Sequence, residues 1–126
     1  AEARVLVIQP WDKSTLKPIE KAIQASDVGI NPQNDGNVIR LNFPALDGDR
    51  RKQLSRDVAK VAEESKIAIR QIRRDSIDAL KKMKKDNEIT EDDQKNGETK
   101  IQKITDDYTK KIDSIAEAKT EEIMSV

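Results

Sequence analysis

The chain has 126 residues, with 24 Lys and Arg balanced by 24 Asp and Glu, and it contains neither Cys nor His. Without Cys there is no disulfide framework, Cys-based zinc site or thiol catalysis, and without His the commonest general base and metal ligand is gone. Only Trp11, Phe43 and Tyr108 are aromatic, too few for a base-stacking sheet, and the longest apolar run, Val5 to Ile8, is too short to span a membrane. The class left is a charged, soluble, cytosolic binding protein.

The first elements follow from short-range patterns. Val5-Leu6-Val7-Ile8 is a β-branched run closed by Pro10 and predicts a buried strand. Leu16, Ile19, Ile23 and Ser26 recur at helical spacing. Thr15 is the expected N-cap, and Pro18 falls in the first turn, where its missing N–H costs little. Asn31-Pro32-Gln33-Asn34-Asp35-Gly36 is a turn cluster with Asp-Gly as its strongest signal. Ile39, Leu41 and Phe43 then alternate with Val38, Arg40 and Asn42, a strand with one core face.

All 4 prolines lie before residue 47, and beyond it Lys, Glu, Asp, Ile and Ala dominate, the composition of long helices. The boundary falls at Phe43-Pro44-Ala45-Leu46-Asp47. The predicted fold class is α+β: a partial small α/β domain over residues 1–43 (strand, helix, strand), a connection over 44–47, and a long antiparallel helical hairpin over 48–126.

In the first long helix Leu54, Val58, Val61, Ser65, Ala68, Ile72, Ala79 and Met83 form a stripe that slackens around Asp75-Ser76. Asp86-Asn87-Glu88 is a polar break. Thr90-Glu91-Asp92-Asp93 resembles a capping box with Asp in its fourth position. Ile101, Ile104, Tyr108, Ile112 and Ile115, with Ile123 beyond, form the second stripe. Each helix would run about 50 Å at 1.5 Å per residue. A two-helix hairpin leaves half of each stripe bare, and two strands beside one helix bury little. Both parts therefore call for further surface, from a preceding segment of the protein or from a homo-oligomer.

The zero net charge conceals a segregation. Residues 1–49 carry a net −2, residues 50–74 a net +6, residues 75–85 a net +2 and residues 86–126 a net −6. A polyanion would meet the middle of the chain. Within it, Arg70-Gln71-Ile72-Arg73-Arg74-Asp75 places Arg70, Arg74, Lys81 and Lys66 roughly opposite Ile72, with Arg73 at the border. Like charges this close destabilise an isolated helix, so they require either a polyanion or acidic partners. Guanidinium forks suit phosphate oxygens and would grip an RNA backbone without reading its sequence. The plainer alternative is a solvated face paired with Glu63, Glu64 and Asp78.

Catalysis has little to stand on. The acidic pairs Asp92/Asp93, Asp106/Asp107 and Glu121/Glu122 lie on polar helix faces without the concave, partly dry setting that tunes an acid or base. Asp35-Gly36 lacks the other oxygen ligands of a calcium loop, and the 4 isolated glycines form no phosphate loop. Trp11 is expected as a packing anchor. No catalytic residue, metal site, cofactor or small-molecule substrate is expected.

Several blocks of residues stand out in order along the chain: Ile19-Glu20-Lys21-Ala22-Ile23, Ser26-Asp27-Val28-Gly29-Ile30-Asn31-Pro32, Asp35-Gly36-Asn37-Val38-Ile39-Arg40, Arg50-Arg51-Lys52, Ala62-Glu63-Glu64-Ser65-Lys66 and Arg70-Gln71-Ile72-Arg73-Arg74-Asp75. Ile89-Thr90-Glu91-Asp92-Asp93, Ile101-Gln102-Lys103-Ile104-Thr105-Asp106 and Lys119-Thr120-Glu121-Glu122-Ile123-Met124 continue the series. Together, and in this order, they resemble the ribosome recycling factor family. The resemblance implies an L-shaped protein, a three-helix bundle with a small α/β domain inserted after the first bundle helix, and a chain that starts inside that domain and lacks the first helix. It implies a cytoplasmic translation factor, not an enzyme. Such a factor binds the post-termination ribosome and, with elongation factor G and its GTP, splits it into subunits. It maps the inter-domain hinge onto Pro44, Ala45, Leu46 and Asp47. It maps the contact with large-subunit rRNA onto Arg70, Arg73 and Arg74, with Lys66 on the same face. Asp47-Gly48-Asp49 departs from the family's usual Thr-Glu-Glu, and Gln71 replaces its usual Asn. The rival from the residues alone is a structural helical hairpin that binds protein partners through its apolar stripes.

Overall fold

The computed structural model describes residues 3–125; residues 1, 2 and 126, at the ends of the two expected domains, lie outside the described residues. The chain divides into two units, Ala1–Leu46 and Asp47–Val126.

The first unit contains β1 (Val5–Ile8), a 3-10 turn (Lys13–Thr15), α1 (Leu16–Ala25), β2 (Gln33–Asn34) and β3 (Ile39–Asn42). The strands form one antiparallel sheet in the order β1-β3-β2, with Leu6 opposite Leu41 and Ile8 opposite Ile39. In β3 the alternation survives intact: Ile39 is 0% and Leu41 4% exposed, while Arg40 and Asn42 face solvent. With Leu16 and Pro32 these are the buried apolar side chains among the unit's described residues.

Five expectations need correction here. Trp11 is not a packing anchor: it lies in a bend after Pro10 and its side chain is fully exposed. β1 is not a buried strand: it stands at the sheet edge, with a neighbour on one side only, and Leu6 and Val7 are 51% and 44% exposed. Phe43 lies past β3, which ends at Asn42, and is 37% exposed rather than buried, although its N–H still donates to the Arg4 carbonyl at 2.8 Å. The turn cluster holds a third strand, since Gln33 and Asn34 pair with Arg40 and Ile39, so the unit reads strand, helix, strand, strand. Thr15 does not cap α1 through its side chain. Asp12 opens the preceding turn instead, accepting from the Ser14 N–H at 2.9 Å, while the Thr15 hydroxyl donates back to the Asp12 carbonyl at 2.6 Å.

The turn between β2 and β3 is held by one carboxylate. Asp35 Oδ1 accepts from the N–H groups of Asn37 and Val38, both at 2.9 Å, and Oδ2 accepts from Arg40 Nη1 at 2.6 Å. The bonds from Val38, Asn37 and Arg40 hold its pKa down at about 2. Gly36 supplies the positive φ of 91° that the tight turn requires.

The second unit is two helices, α2 (Gly48–Lys85) and α3 (Glu91–Ser125). At 1.5 Å per residue they run about 57 and 53 Å. Asp47 caps α2, accepting from the Arg50 N–H at 2.7 Å. The helix continues through Asp75-Ser76, where the stripe slackens without a break. It closes with Asn87 at φ 60°, the Glu88 N–H on the Met83 carbonyl at 2.9 Å and the Asn87 N–H on that of Lys84 at 3.0 Å. That pair of bonds is a Schellman motif, with Asn in the left-handed position. The capping box forms as expected: Thr90 Oγ1 accepts from the Asp93 N–H, and Asp93 Oδ2 from the Thr90 N–H, both at 3.1 Å.

The two helices meet along a narrower seam than the stripes suggest. On α2 the half-buried positions include Leu54, Val58, Ala62, Ser65, Ile69, Ser76 and Leu80. On α3 they include Gly97, Ile101, Thr109, Ile112, Ala116 and Thr120, with Thr105 buried. Small and hydroxyl residues alternate with the aliphatic ones along this seam, and the threonine hydroxyls bond back to carbonyls one turn earlier, Thr105 to Ile101 at 2.7 Å. At Gly97 a Cβ would stand 2.8 Å from Leu80 Cδ1, so glycine permits the close approach there.

Candidate nucleic-acid interface

The seam divides the surface of α2 into two faces. On one, apolar residues of the predicted stripe stay open, Val61 at 60% and Ile72 at 64% exposed, and on the same side of α3 so do Ile104 at 56%, Tyr108 at 54% and Ile115 at 62%. They line two stretches of groove between the helices. One has a volume of about 470 Å³ and is bounded by Leu54, Val58, Val61, Ile112 and Ile115; the other, about 370 Å³, is bounded by Ile69, Ile72, Ile101, Ile104 and Tyr108. In the second unit no apolar side chain among the described residues is fully buried.

The other face is basic. At 100° per residue, Lys66, Arg70 and Arg74 fall within about 80° of one another, away from the groove. They differ in what they touch. Lys66 Nζ reaches across to Asp113 Oδ1 at 2.8 Å and also lies 3.8 Å from Glu63 Oε2. The Asp113 bond raises its pKa above the usual lysine value. Arg70 Nη1 lies 3.4 Å from Glu63 Oε1. Among the described residues, neither Arg73 nor Arg74 has a carboxylate within 4.0 Å.

Pairing with Glu63, Glu64 and Asp78 thus occurs through Glu63 alone, and it leaves two guanidinium groups uncompensated. Arg74 is exposed, whereas Arg73 is half-buried and borders the groove beside Ile72 and Ile101. The four basic residues therefore do not form one uniform patch. Lys66 binds α3, Arg70 is shared with Glu63, Arg74 points outward and Arg73 turns toward the seam. Gln71 is occupied by Asp75, donating to its Oδ1 at 2.9 Å.

Sequence reasoning missed Arg51. It belongs to the Arg50-Arg51-Lys52 run, but its Nη1 donates to the carbonyls of Ile123 at 3.1 Å and Met124 at 3.0 Å. It thereby satisfies orphan acceptors at the end of α3 and sets positive charge at the negative end of that helix. A basic run on one helix carries no mark of which member meets a distant helix end.

Among the described residues no acidic cluster is placed to hold a metal ion, and no helix is long and apolar enough to cross a membrane. The family model described as Ribosome recycling factor matches residues 1–124. The chain belongs to the ribosome recycling factor family. The ribosome-recycling factor of Clostridium novyi is 58% identical over 125 residues, which are 99% of this chain and 68% of that protein. A solution structure of the ribosome recycling factor is 39% identical with a TM-score of 0.60, covering 100% of this chain and 66% of the other. A second structure contains models of the T. thermophilus ribosome recycling factor and the E. coli elongation factor G bound to the E. coli post-termination complex. It is 49% identical with a TM-score of 0.53, over 98% of this chain and 66% of that one. The chain thus spans about two thirds of the recycling factors it matches. The α+β class, with long helices and a small antiparallel sheet, is that of these relatives.

Proposed function

We propose that this chain acts in ribosome recycling as a translation factor rather than an enzyme, binding the post-termination ribosome in the cytoplasm and working with elongation factor G and its GTP to separate the subunits. The carrying observation is a run of guanidinium groups on one long helix, of which Arg73 and Arg74 have no carboxylate within 4.0 Å among the described residues and Arg70 has only Glu63, in a member of this family. A recycling-factor relative bound to a post-termination complex with elongation factor G supports the choice of partners.

In this reading Arg70, Arg73 and Arg74 contact phosphates of large-subunit rRNA, and Lys66 presents the same face while its bond to Asp113 steadies α2 against α3. Phosphate contacts position the protein on the RNA and carry no base information. Pro44, Ala45, Leu46 and Asp47 form the hinge, a stretch without helix or strand that ends at the α2 cap. Motion about it when the translocase pushes would strain contacts between the subunits.

The open apolar groove favours a second reading, a hairpin that assembles with protein partners through Val61, Ile72 and Ile115. Salt separates the two, because phosphate binding releases counterions and weakens steeply as salt rises. Co-sedimentation of the chain with vacant ribosomes, at low and raised salt, decides it. The recycling reading expects salt-sensitive binding lost in Arg73→Glu and in Arg74→Glu, with far-UV circular dichroism unchanged. Salt-insensitive binding that survives both charge reversals would move the assignment to the hairpin reading.

A further inference from the structure

The basic face does not stop at the arginine cluster. Beyond Arg74, α2 carries Lys81, Lys82, Lys84 and Lys85 before it closes at Asp86, all of them exposed. At 100° per residue, Arg70, Arg74, Lys81 and Lys85 fall within about 60° of one another, a single line on the helix surface. From Arg70 to Lys85 this line is about 22 Å long at 1.5 Å per residue, far longer than one phosphate contact.

Two observations make it a track rather than a solvated face. Among the described residues, Arg74, Lys81 and Lys85 have no carboxylate within 4.0 Å, although Glu63 and Asp113 engage the cations at the other end of the line. Asp78, the carboxylate bordering the line, pairs with none of them. The line also lies away from the apolar groove, so an occupant of the groove would leave it accessible.

We infer that Lys81 and Lys85 extend the arginine cluster into one continuous phosphate-backbone track along α2, gripping an RNA strand at several successive phosphates. This rests on the rRNA-binding reading above and adds residues that the arginine cluster does not include. Lysine suits the far end, because an ammonium is a point charge that follows a backbone without demanding bidentate geometry.

The test is binding of the full chain to vacant ribosomes across a salt series, with hydroxyl-radical footprinting of the rRNA. Each neutralised phosphate contributes about 0.7 to 0.9 to the slope of log affinity against log salt. The double variant Lys81→Gln, Lys85→Gln should lower that slope by about 1.5, weaken binding about tenfold at low salt and erase part of the footprint. A matched pair, Lys17→Gln with Lys21→Gln on α1, controls for loss of charge alone. Loss of binding in Arg74→Glu with no change in the Lys81, Lys85 variant would end the track at Arg74 and leave the function standing. An equal fall of slope in the α1 pair would reduce the track to net charge. No binding by the unchanged chain would overturn both the track and the recycling reading.

Discussion

The two units reach stability by opposite routes. The first closes a small sheet over a few residues, with Ile39 fully buried and its turn locked by the three hydrogen bonds to Asp35. The second has no fully buried apolar side chain among the described residues and distributes its contacts along some 50 Å of half-buried seam. A concentrated core fails at one residue, whereas a distributed seam loses a little wherever it is cut. The seam also leaves a basic face and an apolar face open on the same helix.

The largest effect should come from the concentrated side. Ile39→Ala removes the one side chain at 0% exposure and should cost about 3 kcal/mol. Amide resonances of residues 3–46 should lose their dispersion while the far-UV helical signal of α2 and α3 persists. Collapse of both together would show that the units are not independent. Next is the seam at Gly97, where an added Cβ would stand 2.8 Å from Leu80. Gly97→Leu forces a side chain into Leu80 and should lower the urea midpoint of the helical signal by the equivalent of about 2 kcal/mol, with the sheet resonances undisturbed. No change there would mean that Leu80 gives way without cost.

The smallest effect is local and acid-dependent. Asp35 titrates at about 2 in the fold against 3.8 for the free side chain, so its contribution is complete above pH 4 and is lost as the pH falls toward 2. Protection of the Asn37 and Val38 amides, taken relative to intrinsic exchange at each pH, should fall over that interval, and Asp35→Asn should abolish this acid-dependent step. Protection that is flat with pH in the unchanged chain would remove the carboxylate from the turn's support.

How much the sequence reveals differs between the units in the same way. Long-period patterns are easy to read: α2, α3 and the capping box at Thr90 and Asp93 are legible because many residues repeat one message. β3 is equally plain, since burial on one face enforces strict alternation. The two residues of β2 are too few to show any period, and they sit among residues that favour turns. Asp12 outcompetes Thr15 because a 3-10 turn precedes the helix and moves the capping position back. The apolar stripes are real but broader than the contact between the helices. Ile72, Ile104, Tyr108 and Ile115 lie on the half of each stripe that faces the open groove, and the seam itself runs through Ser65, Gly97, Thr105 and Ala116. In the candidate interface the arginines can be picked out by charge alone. Which of the cations are paired is not legible: Glu63, seven residues before Arg70 on the same helix, engages it, while Lys66 is taken by Asp113 of α3, a partner that spacing along α2 cannot show.

Arg51 bears on how the hairpin forms as well as on what it looks like. Its bond to Ile123 joins residues 72 apart in sequence, at the opposite end of the hairpin from the Schellman turn and the capping box. Contacts near that turn close short loops, whereas this one must wait for the longest loop, whose closure entropy is largest. On that account the hairpin is expected to close from its turn, with the Arg51 contact among the last to form. A contact made after the rate-limiting barrier leaves the folding rate nearly untouched and instead slows unfolding, so Arg51→Ala should shorten the lifetime of the assembled hairpin more than it slows its formation.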